Sequence, residues 1–199
     1  MWRWGEEGRR WEVTPGFWLL LALSLLAGAG TVLPLVLLAS LCHELGHVAA
    51  LAWAGAKVER FRLTAFGAEL RSDTRYMPYG RELLCTLAGP AVNLALALVL
   101  ARLTGDYLLA GANLLLGVFN LLPMPGLDGG RALHLLISWL TDPMTADRVC
   151  RWVGLLSALA LTGVTLILVV AHRTGLFLLL AALGTLLPQV PLAKQEENR

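Results

Sequence analysis

Charge is what this 199-residue chain has least of. Only 15% of its residues are charged against 57% hydrophobic, and its mean hydropathy is +0.66. Soluble domains carry about 25% charged residues, so the scarcity excludes an ordinary water-soluble globule and predicts an all-α polytopic membrane protein. Cysteine is equally sparse. Cys42, Cys85 and Cys150 are too few and too scattered for a disulfide framework, and no CxxC pair offers a thiolate metal site. Cys42 and Cys85 lie in apolar runs, where a thiol is usually a small core residue. The net charge of +2 gives no basis for a nucleic-acid partner. No secretory leader is expected, because residues 1–15 are polar and aromatic and no small-residue cleavage site follows a short apolar core.

The few charges are sorted by side. Apolar segments at 17–30, 31–53, 83–103, 107–122, 151–170 and 176–187 predict about six transmembrane helices. Six spans would put the N-terminus, the 55–82 loop, the 123–151 segment and the C-terminus on one face. Of the 16 Lys and Arg residues, all but Arg102 and Arg173 fall in those four regions. The positive-inside rule then predicts an integral, multi-pass protein in the lipid bilayer with both termini cytoplasmic. Residues 1–15 mix Trp2, Trp4 and Trp11 with arginines and are expected to form an interfacial segment, a disordered tail being the alternative. Residues 16–192 would be one membrane domain and 193–199 a short polar tail. Within the 55–75 loop, Lys57 to Thr64 alternate polar and apolar as a half-buried strand does. With Glu69-Leu70-Arg71 pairing back, a small β-hairpin is expected, whose edge could clamp an extended peptide. A plain basic loop is the alternative.

Against this background one stretch stands out, His43-Glu44-Leu45-Gly46-His47, inside an apolar run. Residues four apart share a helix face, so His43 and His47 can offer two imidazole nitrogens to one zinc ion. Glu44, rotated by about 100°, sits beside the metal, where it can act as base toward an activated water. Ionisable groups in hydrocarbon cost about 2 kcal/mol or more each, which makes such residues functional by default. Polar residues satisfying one another in a bundle are the bland alternative. Catalytic zinc takes three protein ligands. Asp128, His134 and His172 are the candidates for the third. Asp128 is favoured, because it sits where two prolines and three glycines from Pro123 to Gly130 break the helix at membrane depth. Broken backbone there must line a cavity or be covered by protein. His172 lies beside Arg173, on the face opposite the basic loops.

Three elements in order resemble the site-2 protease family of intramembrane zinc metalloproteases. They are His43-Glu44-Leu45-Gly46-His47, then Gly89-Pro90-x-x-Asn93, then Asn120-x-x-Pro123-x-Pro125-x-Leu127-Asp128-Gly129. The resemblance covers nearly the whole chain and implies a core of three helices around one zinc. It implies His43, His47 and Asp128 as ligands and Glu44 as the base. It also implies that Asn120 positions the substrate carbonyl or the developing oxyanion, a helix–helix hydrogen bond being the alternative for that residue.

Small size, six spans and no PDZ insertion resemble the sporulation branch, the stage IV factor B type. That branch implies a membrane-associated substrate, the prosequence of a sporulation sigma factor, and small membrane-protein inhibitors as partners. Two rival readings stand beside the protease: an inactive relative serving as a membrane scaffold or regulator, and a zinc transporter using the same His/Asp site.

Overall fold

The computed structural model describes residues 11–15, 18, 21–22, 26, 30–56, 58–64, 67–72, 74 and 77–172. They fall into two compact units, Met1–Asn120 and Leu121–Arg199, each taken here by itself.

In the first unit, three helices pack together: α1 (Val32–Trp53), α2 (Tyr79–Val99) and α3 (Tyr107–Asn120). Their patterning is inside-out relative to a soluble bundle. Apart from Leu51 on α1, the buried positions are small or polar, among them Ala39, His43 and Gly46 on α1, Cys85, Gly89 and Asn93 on α2, and Ala110, Asn113 and Gly117 on α3. The large residues Leu38, Leu41, Leu45, Leu84, Leu98, Leu108 and Leu115 point outward. In lipid, apolar burial gives helices no reason to associate, so small residues at the seam allow close backbone approach and polar ones bond across it. Gly46 shows this directly, since a Cβ there would lie 2.9 Å from the Ala88 carbonyl oxygen of α2.

A π-helical turn, Leu100–Thr104, ends α2. Asp106 then starts α3 by accepting the Leu109 backbone N–H at 3.0 Å, as N-cap aspartates do. Before α2, the strands β2 (Val58–Thr64) and β3 (Gly67–Ser72) pair antiparallel, with Phe61 opposite Leu70. The strand β1 (Trp11–Val13) joins β2 in parallel, Trp11 opposite Phe61. The expected interfacial segment thus contributes a strand at 11–13, while 1–10 lie outside the described residues. The Thr74 hydroxyl donates to Glu82 at 3.0 Å and ties the segment after the sheet to the first turn of α2.

The second unit starts with a tight loop, 121–127, folded back on α4 (Asp128–Leu140). Added Cβ atoms would strike the Leu121 carbonyl at Gly129 and the Met124 carbonyl at Gly130. Two adjacent glycines are therefore required for the loop backbone to lie on the start of the helix. Gly126 takes φ of +87°, which L side chains rarely adopt. The helix α5 (Pro143–His172) packs on α4. His134 of α4 bonds Asp147 of α5 through Nε2 at 2.8 Å.

Among the described residues, three helical stretches are long and apolar enough to cross a membrane: Val32–Trp53, Tyr79–Thr104 and Pro143–Ile167. The protein is an integral membrane protein. The expected spans need adjusting. α3 has 14 residues, about 21 Å at 1.5 Å per residue, and falls short of a hydrocarbon core of about 30 Å. The span expected at 151–170 belongs to a helix that begins at Pro143, because Asp142 and Pro143 form a start signal upstream of the apolar run. Of the remaining spans, 17–30 lies mostly and 176–187 wholly outside the described residues.

Asp142 is an exposed cap. Its carboxylate accepts the Thr145 hydroxyl at 2.7 Å and the Thr145 N–H at 2.9 Å, and these bonds, hydroxyl first, hold its pKa below the ordinary 3.8. A depressed carboxylate stabilises the fold above its unfolded pKa, and that contribution disappears as pH falls through the folded value. Asp142→Ala is therefore expected to lower the melting temperature in detergent at pH 6. The gap to the native chain should close in acid below pH 3.8. A gap independent of pH would refute the assignment.

Candidate metal centre

The centre is built on two antiparallel helix faces. On α1, Ala39, His43 and His47 recur every four residues, and on α2, Cys85, Gly89 and Asn93 do the same. Each group on one face meets its counterpart on the other. His47 Nδ1 lies 2.9 Å from the Cys85 carbonyl oxygen. His43 Nδ1 lies 2.9 Å from Asn93 Oδ1. Gly89 lies between: a Cβ there would press into His47 and come within 2.8 Å of His43 Nε2. The glycine leaves the imidazoles the room that any side chain would take.

These partners settle the tautomers. A peptide carbonyl only accepts, so His47 carries its proton on Nδ1. Asn93 Nδ2 donates to the Ala39 carbonyl at 3.2 Å, which turns its Oδ1 toward His43 and makes Nδ1 the donor there too. Both Nε2 atoms then carry no proton, and they lie 3.1 Å apart, with the rings 78° apart. Two lone pairs at that distance repel unless a cation lies between them. Tetrahedral zinc, with Zn–N bonds of about 2.0–2.1 Å, holds two nitrogens about 3.3 Å apart. Nδ1 donation to an oxygen acceptor is also the usual arrangement for a zinc-ligating histidine. The residues present fit zinc.

Of the site residues expected from sequence, His43, Glu44 and His47 share α1. His43 is buried, and Glu44 and His47 are partly so. Asn120 is the last residue of α3, and one of its two Nδ2 hydrogens is donated to the Leu116 carbonyl one turn back at 3.0 Å. Asp128 is the first residue of α4 in the second unit, partly buried. His134, a lesser candidate ligand, spends its Nε2 on Asp147. His172 closes α5. Sequence reasoning missed the Cys85 carbonyl, because a backbone acceptor leaves no mark in side-chain identity. It also missed Asn113, whose signal was an amide in the middle of an apolar helix.

Residues 106–162 match the Peptidase family M50. That segment is similar to part of an M50 peptidase domain, and the chain's curated relatives include zinc metalloproteases. Stage IV sporulation protein FB of Bacillus subtilis is 34% identical over 136 residues, which cover 64% of this chain and 47% of that protein. A zinc metalloprotease of Methanocaldococcus jannaschii is 31% identical over 123 residues, covering 56% of this chain and 36% of that one. The chain thus spans less than half the length of these curated relatives. The solved structure of the site-2 protease from Methanocaldococcus jannaschii superposes with a TM-score of 0.65 at 25% identity, covering 87% of this chain and 85% of that chain.

The Gly89 cradle is testable. Gly89→Ala is expected to displace the His47 ring and reduce zinc in the purified protein from about one ion per chain to near none. Metal analysis in detergent measures it, and a full complement of zinc in the variant would refute the cradle.

Proposed function

We propose that this protein is an intramembrane zinc metallopeptidase whose metal is held by His43, His47 and Asp128. The observation that carries the reading is the convergence of two Nε2 atoms at 3.1 Å, both unprotonated by the tautomers that their Nδ1 partners favour, on the helix face next to Glu44. Asp128 is proposed as the third ligand because it stands in the Asn-x-x-Pro-x-Pro-x-Leu-Asp-Gly run, at the start of a helix whose N-terminal dipole favours a carboxylate. Zinc bound there supplies Lewis-acid activation of water and of a peptide carbonyl. Glu44 takes a proton from the attacking water and returns it to the leaving amine. Asn120 is proposed to bind the substrate carbonyl through its second Nδ2 hydrogen. A scaffold would need none of these groups in register, and a transporter would have no use for Glu44 beside the two histidines.

The substrate of this reading is a membrane-associated protein, and the similarity to a sporulation protein supports a pro-sigma factor. The substrate would be held extended, in part along the sheet that β2 and β3 form. Small membrane-protein inhibitors are the proposed gatekeepers. Co-expression with a membrane-associated pro-sigma factor should give a shortened product on a gel. Glu44→Gln should abolish it while zinc content stays at the native level, and Asn120→Ala should slow it by about 10²–10³-fold. Cleavage by Glu44→Gln at the native rate would refute the mechanism. Absence of product from the zinc-loaded native chain would refute the sigma-factor substrate.

An even number of spans with both termini cytoplasmic, six if the 14-residue α3 is counted among them, is part of the reading, supported by the distribution of Lys and Arg. Reporters fused to either end should be active only on the cytoplasmic side, and one terminus reporting from the other side would make the span count odd.

A further inference from the structure

The bond from His43 to Asn93 leaves open what orients Asn93. Its side chain is fully buried, at 0% exposure, and its amide has two donor hydrogens that each need an acceptor. One goes to the Ala39 carbonyl and the other to Asn113 Oδ1 at 3.1 Å. Asn113, 2% exposed, has its own orientation set in turn, because its Nδ2 donates to the Leu109 carbonyl at 2.9 Å. The approach of α3 that makes this possible depends on Gly117, one turn further on, where a Cβ would come within 3.2 Å of Asn93 Cβ.

The consequence is a guard against the wrong tautomer. If the Asn93 amide were reversed, its Nδ2 would face His43 Nδ1, which would then have to accept, and the ring proton would move to Nε2. The lone pair meant for a metal would be lost. Reversal is opposed twice, since Asn93 Oδ1 would then face the Ala39 carbonyl oxygen and Asn113 Oδ1. Removing Asn113 removes one of those two oppositions.

We infer that Asn113 is a positioning residue of the metal centre, holding His43 in its Nδ1–H form through Asn93. This rests on the proposal that zinc binds at His43 and His47. Partners one step removed from a zinc ligand typically change metal affinity by about 10–100-fold when lost.

The test is a zinc competition titration against a chelator, using the full chain in detergent. Asn113→Leu removes the acceptor and should weaken zinc binding by about 10–100-fold. Asn113→Asp keeps an acceptor for Asn93 and should stay within about threefold of the native chain. If Asn113→Leu does not fold, Asn113→Ala carries the same expectation. In a His43→Ala background, Asn113→Leu should have no further effect on residual metal binding. Native zinc affinity with only a lowered melting temperature would overturn the inference and leave Asn113 a structural residue. Failure of the native chain to bind zinc would instead overturn the reading on which the inference rests, so the two failures are distinguishable.

Discussion

The structure of the first unit depends on two imidazole lone pairs held face to face in a low-dielectric interior. Such an arrangement is unfavourable unless a cation joins them, and the surroundings are organised to maintain it. α2 contributes a carbonyl, a glycine and an amide at successive turns, and each fixes one feature of the pair: the tautomer of His47, the space for both rings, and the tautomer of His43. α3 contributes the acceptor that holds the amide. Three helices are therefore registered to one another by polar groups. Among outward-facing leucines, no apolar contact would choose between neighbouring registers.

This division of labour follows from the solvent. In water a helix buries its leucines and exposes its polar residues. Here Leu38, Leu41 and Leu45 face outward, and Ala39, His43 and Gly46 face inward. Close approach at Gly46, Gly89 and Gly117 brings the backbones near enough for short side chains such as asparagine to bridge them. A second set of glycines does a related task in the other unit, where the loop at 121–127 lies on the first turn of the helix that Asp128 opens. The match of residues 106–162 to Peptidase family M50 spans that loop and helix, while the histidine pair lies outside it and is recognised by its own geometry.

Much of this was legible in the residues alone. The scarcity of charge required a membrane, and a period-four histidine pair with an adjacent glutamate pointed to a metal. The Gly89-Pro90-x-x-Asn93 element could be read as close packing with a polar contact. Helix boundaries were harder to read. α5 begins at an Asp-Pro start signal, with charged residues in its first two turns, so hydropathy alone located it several residues late. α3 reads as apolar enough to span but is only 14 residues long, because the Pro-rich break that follows ends it early.

The sequence by itself determined that the chain is built for a membrane and that two histidines share a helix face beside a glutamate, because those depend on residue type and on spacing along one helix. Only the tertiary structure decided which nitrogen of each histidine carries no proton. That depends on a carbonyl of Cys85 and an amide chain from Asn93 to Asn113, reaching across positions 20 to 50 residues apart. A backbone oxygen has no letter in a sequence, and a hydrogen bond's direction is set by what lies at its other end.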